Sequence, residues 1–538
     1  MDDPTNLPNR RTALKRGLAV AATIAAPPLA AAPRPGPQPG PEGQRRADLG
    51  NGSYINPVLA GDRADPNVLK DGDDYYAAFS SFVYYPAVCI WHSRDLVNWT
   101  PVGPVVEKPI GSVFAVDLAR HDGRYFVYIP VFVPPAGPPK GPPFKIFVCH
   151  AEAMTGPWSE PVDMGIDGYI DPGHVVGEDG RRYLFLNDGH RVAISADGLH
   201  RDGPVEKVYQ GWPIPDNWVI EGFALEGPKL IRRDGWFYMF SGQGGTAGPP
   251  TSHMVVVARA RSIDGPWENC PHNPIVRTAT RDEPWWSRGH ATPVEGPDGG
   301  WWLAYHGYEN NRRTLGRQML LDPFVWDRAG WPRALGGDLR RPLPKPGKSI
   351  DRPKGFSLSD DFVKAAFGTR LSFYDPKPGY LDRVRLANNA LHLKGAGNSI
   401  ATSSPLAMIS GDHRYSVTVD IDLATADEAG LLLFYNDKLF CGVGISNGQL
   451  HAYKVGTEQM FPPAGPANGS RMFMRVENVD DVATFRRSSD GHKWETVSSF
   501  EVSGYNHNIG DGFLSLRPAI FAIGGEAVFR SLQYRALD

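Results

Sequence analysis

Apolar and polar positions alternate with a period of two along short stretches of this chain, and Asp-Gly pairs break the alternation at regular intervals, so the pattern predicts strands joined by tight turns. Five such pairs precede aromatic or apolar runs: Asp71-Gly72 before Tyr75-Tyr76, Asp122-Gly123 before Tyr125-Phe126, Asp179-Gly180 before Tyr183-Leu184, Asp234-Gly235 before Trp236-Phe237-Tyr238, and Asp298-Gly299 before Trp301-Trp302. The central positions of a two-residue hairpin turn need positive φ, which Asp and Gly tolerate best. Successive glycines lie 51, 57, 55 and 64 residues apart, the size of one blade, and five hairpins at that spacing predict a five-bladed β-propeller around an axial channel.

A second element recurs between the hairpins. Trp91 to Trp99, Cys149 to Trp158 and Ala260 to Trp267 each read as a blade strand, a turn and an anchoring tryptophan. Loops rich in Pro and Gly, from Pro134 to Pro143 and from Gly242 to Pro250, fit the rim rather than the blades. After the Pro-rich segment Leu343 to Lys354 the repeat stops. Tyr415 to Asp422 then alternates strictly, and Leu431 to Phe434, Phe440 to Ile445, Met472 to Val476, Ala483 to Arg487 and Val528 to Tyr534 read as further strands, with a hairpin at Asp490-Gly491. That spacing predicts a β-sandwich of jelly-roll type. The chain is thus read as all-β, with a propeller over 51–345, a linker over 346–356 and a sandwich over 357–538.

The N-terminus has another character. Arg10-Arg11 opens a twin-arginine pattern, followed by the apolar run Leu18 to Ala26 and small residues up to Ala32, which predicts an export signal over 1–32. The apolar run is too short for a retained span, so no membrane insertion of the mature chain is expected and its place is periplasmic or extracellular. The alternating Pro and Gly that follow predict a disordered linker over 33–50. Four scattered cysteines, Cys89, Cys149, Cys270 and Cys441, make neither a disulfide framework nor a zinc site, and read as mostly buried thiols.

A formal net charge of −3 argues against a nucleic-acid partner, while 14 Trp among 11% aromatics lean toward sugars, whose C–H faces stack on rings. Just upstream of each hairpin turn lies one ionisable residue: Asp65, Asp117, Asp171, Glu226 and His290. Radial symmetry would carry all five toward the axis. Hydrolysis of a glycosidic bond needs a proton donor and a second carboxylate. Asp65 and Asp171 each precede a proline, which fixes the bend that presents the carboxylate. Glu226 stands between apolar residues, a setting expected to raise its pKa as a proton donor requires.

At these residues the chain resembles glycoside hydrolase family 43, the five-bladed propeller enzymes that include β-xylosidases and α-L-arabinofuranosidases. The likeness runs through NPVLAGDRADPNVLKDGDDYY, WHSRDLVNW, YIDPGHVVGEDGRRYLF, LEGPKLIRRDGWFYMF and GHATPVEGPDGGWWLAYHG, nearly all of residues 53–345. The resemblance implies an inverting reaction with Asp65 as general base, Glu226 as general acid and Asp171 as the acid that tunes and orients. It implies Phe82 as an aromatic wall of the sugar pocket and Arg317 as a contact to sugar hydroxyls. Phe114 and Asp117 fall where many members have W-A-P-D, here Phe-Ala-Val-Asp, which alters a wall and a rigidifying proline beside the bound sugar. His290 matches a histidine that in many members lies beside a calcium ion; no cofactor is required, with a structural Ca2+ allowed for.

Asp360-Asp361-Phe362 and Leu371 to Tyr374 resemble the start of the concanavalin-like C-terminal domain of family β-xylosidases, with Leu371 and Tyr374 in place of tryptophans. In relatives that domain lends a loop to the active site. The implied function is an exo-acting hydrolase releasing terminal β-D-xylosyl or α-L-arabinofuranosyl units from xylo-oligosaccharides or hemicellulose side chains. A member with another pentose or galactose specificity, or a non-catalytic sugar-binding propeller, is the alternative.

Overall fold

A computed structural model describes residues 39–134, 142–347, 355–364, 366–461, 463–467 and 469–537. The predicted export signal, the first part of the following linker, most of the loop between Pro134 and Pro143, and residues 348–354 of the second linker lie outside the described residues.

Five antiparallel sheets follow one another in sequence. Their first strands are Asn67–Asp71, Asp117–His121, Gly173–Val176, Glu226–Arg233 and Trp285–Glu295. Each of these touches the first strand of the blades on either side, and the fifth touches the first, so the inner strands close a ring around the axis. The predicted hairpins join inner to second strands; at Asp122-Gly123 and Asp234-Gly235 both turn residues have positive φ, as the sequence requires. Apolar clusters fill the gaps between blades. Tyr75 and Trp91 of the first blade pack with Trp302 and Met319 of the fifth, and Phe126 and Ile146 of the second pack with Leu184 and Val192 of the third. Burial between sheets rather than on one face explains why middle strands of the blades, such as Arg182–Leu186, Trp236–Gln243 and Met254–Ala260, are apolar over most of their length.

The ends of the ring are tied together. Ser53–Tyr54 pairs with Leu343–Pro344, and Val58 and Arg63 donate backbone hydrogen bonds to Met319 and Arg317 of the last blade. Residues 39–50 do not behave as the loose linker that their composition predicts. Glu42 accepts from the N–H groups of Leu358 and Ser359 at 2.8 Å each, and Arg45 donates to Glu309 and Gln318 of the fifth blade and to Gly411 and Asp412 of the sandwich. Long-range charge pairing fixes a segment that has no apolar pattern of its own.

The C-terminal residues form two stacked sheets, of seven and eight strands. The predicted alternation of Tyr415 to Asp422 falls in the strand Arg414–Asp422, with Val417, Val419 and Ile421 turned into the core. The eight-stranded sheet does not stop at the domain boundary. Its strand Leu371–Tyr374 pairs with Tyr84–Tyr85 of the first blade, which forms the sheet's edge, and one apolar cluster runs from Ile129 and Val131 through Tyr85 to Phe373 and Leu406. A buried ion pair, Arg517 Nη2 to Asp62 Oδ2 at 2.9 Å, fastens the same junction. All four cysteines are free, three of them buried.

Candidate active site

The inner strands bring Asp65, Asp171, Glu226 and His290 together at one end of the axis. Asp65 Oδ1 accepts from Arg317 Nη1 at 2.7 Å and Oδ2 from Ser80 Oγ at 2.5 Å. Its backbone N–H donates to His306 Nδ1 at 3.1 Å, and that nitrogen lies 3.0 Å from Asp65 Oδ1. Burial opposes the charge on Asp65, yet Arg317 first, with His290 and His306, holds the carboxyl well below its usual range. Burial and Arg317 push His306 well below the usual imidazole value, so it stands as a neutral ring.

Asp171 Oδ2 accepts the Gly227 N–H at 3.1 Å and faces His290 Nε2 at 3.3 Å. Gly227 has φ of +58°, and a Cβ there would lie 2.6 Å from the His290 ring, so only glycine lets the amide, the carboxylate and the imidazole meet. Burial raises the pKa of Asp171, and the neighbouring Glu226 and Asp65 add to the rise. His290 is itself raised: burial works against its charge, but Asp65, Asp171 and Glu226 surround it. Asp65, Asp171 and His290 all hold left-handed backbone, φ 56°, 58° and 61°. For the two aspartates this is doubly unusual, because the residue before a proline is restricted already.

Glu226 differs from its expectation. Its apolar neighbours in sequence predict a raised pKa, and burial does push it up, but His253 Nε2 at 3.2 Å from Oε1, together with His290, outweighs burial and lowers it. Three buried carboxyls thus face one guanidinium, Arg317, and one imidazole of raised pKa, His290. The two acids next to His290 are moved in opposite directions, so that a proton is held more readily by Asp171 than by Glu226.

The histidines form a column. The ring centroids of His253 and His306 are 5.2 Å apart, and those of His306 and His290 are 6.0 Å apart. Each ring faces a different acid. His253 and His306 interrupt the apolar runs at Met254 and at Leu303 to Tyr305, a polar residue in a blade core, which is the signal that sequence reasoning passed over.

Asp117 does not join this group. Lys229 Nζ and Asn67 Nδ2 each donate to its Oδ1 at 2.8 Å, and the His174 N–H donates to its Oδ2 at 2.8 Å. Its lone pairs are spent on tying four blades together, so the substrate contact expected of it gives way to a structural node. Phe82 is buried, with Arg317 5.6 Å from its ring centre on one side and Phe114 edge-on at 5.4 Å on the other. Phe114 is half-buried between Phe82 and Phe144.

The sandwich supplies a residue that no sequence pattern marks. Phe513, in the loop after the short helix His507–Gly510, lies 5.1 Å from the Arg317 guanidinium, and His507 stacks on it at 4.0 Å. A groove of about 690 Å³ opens between His507, Asn508, Ile509 and Asp511 of this segment and Ala247 to Pro250 of the fourth blade.

Calcium takes six to eight oxygen ligands. Beside His290 stand Asp171 at 3.3 Å, the further carboxylates Asp65 and Glu226, and the His306 ring, and among the described residues no group of three or more His, Cys, Asp or Glu is placed to hold a metal. Nor, among the described residues, is any helix long and apolar enough to cross a membrane.

Five blades with acids on three inner strands define a class of sugar-cleaving enzyme. The sequence profile of glycosyl hydrolases family 43 matches residues 54–332, and the chain belongs to that family and is a glycosidase. It is 27% identical over 416 residues to a non-reducing end α-L-arabinofuranosidase of Bacteroides ovatus, covering 72% of this chain and 75% of that protein. It is 29% identical to a xylosidase/arabinosidase of Butyrivibrio fibrisolvens, over 71% of this chain and 78% of that one. Among solved structures, a family 43 protein from Bacillus licheniformis superposes with a TM-score of 0.79 at 24% identity, over 90% of this chain and 100% of the other, which supports the two-domain fold.

Proposed function

We propose that the chain is an exo-acting, inverting glycosidase that releases terminal β-D-xylosyl or α-L-arabinofuranosyl units from xylo-oligosaccharides or hemicellulose side chains. The observation that carries this reading is the meeting of Asp65, Asp171 and Glu226, from three separate blades, under an aromatic and arginine cap contributed partly by the sandwich. Relatives similar along most of their length are named xylosidases and arabinofuranosidases, and both pentoses present hydroxyls alike to a small pocket.

In this mechanism Asp65, kept ionised beside Arg317, takes a proton from the attacking water. Glu226 gives its proton to the departing oxygen. The side chain of Glu226 is 22% exposed, so a sugar seated over it strips away water and draws the proton from Asp171 onto Glu226. Asp171 then remains as the charge that favours protonated Glu226. Phe513, stacked on His507, brings a sandwich residue beside Arg317, and a second domain closing on the site suits removal of one end unit at a time. The twin-arginine pattern at Arg10-Arg11 supports action outside the cytoplasm.

Aryl β-D-xyloside, aryl α-L-arabinofuranoside and xylobiose, offered in parallel, test the reading. Turnover of the first or second with monosaccharide as sole product is expected. Internal cleavage of long xylan, or turnover of none of the three, would overturn it.

A further inference from the structure

Nothing in the general acid and base scheme calls for His253, yet it is the most deeply buried polar group touching Glu226. It precedes the third strand of the fourth blade, Met254–Ala260, whereas Glu226 opens the first, Glu226–Arg233. The second strand runs between them. Contact across it is made possible by Gly242, the pairing partner of Glu226: a Cβ at Gly242 would lie 2.8 Å from His253 Nε2 and 3.3 Å from Glu226 Cγ. The absent side chain is the passage through which the ring reaches the acid.

The ring is fully buried, so both nitrogens need partners. Nδ1 meets the Thr246 hydroxyl at 3.2 Å. Nε2 has no aligned hydrogen bond among the described residues; its neighbour is Glu226 Oε1, at 3.2 Å but off the hydrogen-bond line. Catalytic hydrogen bonds are often long or misaligned before substrate binds and tighten afterwards.

Resting on the glycosidase reading above, we propose that His253 is a positioning residue for the general acid: with Thr246 donating to Nδ1, its Nε2–H holds Glu226 Oε1 and confines the transferable proton to Oε2. A carboxylic acid can carry its proton on either oxygen, and only one of them faces the leaving group. Holding Oε1 as an acceptor removes the unproductive choice and fixes the side-chain torsion. No proton leaves His253 in this step; the O–H bond broken is that of Glu226, and the bond formed is to the glycosidic oxygen.

The same contact has an electrostatic side. The groups acting on Glu226 are His253 from its own blade, His290 and Arg317 from the fifth, Asp171 from the third and Asp65 from the first. Of these, His253 is the one that directly touches Oε1, and it favours the carboxylate. Loss of the ring therefore raises the Glu226 pKa, which carries the alkaline limb of kcat/KM to higher pH even as the rate falls.

The test uses the full chain with His253→Leu and His253→Gln, the latter placing an amide donor near the Nε2 position. For His253→Leu, kcat on xylobiose is expected to fall about 100-fold with KM nearly unchanged, while kcat on a dinitrophenyl glycoside, whose leaving group needs no proton, falls less than about threefold. The alkaline limb moves up, and His253→Gln recovers most of the loss. Equal losses on both substrates, or an alkaline limb that stays in place, would overturn the proposal. Thermal denaturation checks folding; should His253→Leu not fold, Thr246→Val, which keeps the ring and removes the hydroxyl that fixes its tautomer, is expected to show the same leaving-group dependence in weaker form, and its absence would count equally against the proposal. A wild-type chain that turns over neither substrate refutes the glycosidase reading itself, a result distinct from all of these.

Discussion

Arg317 Nη1 donates to Asp65 Oδ1 across 2.7 Å, joining the last blade to the segment that enters the first, with both side chains about 95% buried. This bond is where closure of the ring and the state of the proposed base coincide. Removing the cation by Arg317→Met takes away the largest of the influences that oppose burial and raises the Asp65 pKa. The base works only when ionised, so the acid limb of the kcat/KM profile moves to higher pH, and kcat/KM at its optimum falls by about 10- to 100-fold, the worth of a charge-assisted hydrogen bond. Arg317→Lys keeps the charge but not the fork, and should shift the limb less.

Phe513 approaches the same guanidinium from the sandwich, its ring centre 5.1 Å away. Phe513→Ala is expected to lower kcat/KM for xylobiose by about fivefold to tenfold, mainly through KM, from the lost ring contact. Steady-state kinetics on xylobiose and on an aryl xyloside check this, and an unchanged KM would remove the sandwich from the binding site.

At the domain junction, Arg517 and Asp62 are paired with side chains 5% and 3% exposed. Arg517→Met leaves a buried carboxylate without its partner and should cost about 3–5 kcal/mol in chemical denaturation. The double change Asp62→Asn with Arg517→Met should recover most of that. Additive losses would show that the pair is not the coupled unit that its burial implies.

Glu309 links three parts of the chain, accepting from Arg45 at 2.9 Å and lying 2.9 Å from His413 Nε2. Burial resists its charge, but Arg45 and His413 bring its pKa down to about 2. A folded value below the unfolded one means that its contribution, about 3 kcal/mol, is complete above pH about 4.5 and drains away as pH falls toward 2. Tm measured across that window should drop more steeply for the wild type than for Glu309→Gln, which begins lower and has less to lose.

Much of the fold was legible because propeller hairpins demand Asp-Gly turns, and five of them at blade spacing allow few other architectures. The acids were legible for the same reason: each stands six to nine residues before the glycine of its turn, and two precede prolines. What escaped was long-range. Nothing in Tyr84-Tyr85 marks it as the edge of a sandwich sheet whose other strands lie about 290 residues onward, and the pairing of Arg45 with Glu309 joins residues with no local pattern in common. Asp117 looked equivalent to the other axial acids by position, but Lys229, three residues beyond Glu226 on the inner strand of the fourth blade, claims it across the axis. His253 was visible only as a polar residue ahead of an apolar strand, and its importance depends on the empty space at Gly242 across the sheet.

The anomer first released decides the central claim most directly. Proton NMR during the early turnover of an aryl β-D-xyloside, before mutarotation, should show α-xylose, the product of a single displacement by water activated at Asp65. β-Xylose as the first product would require a covalent intermediate, for which this arrangement of base, tuning acid and proton donor leaves no role.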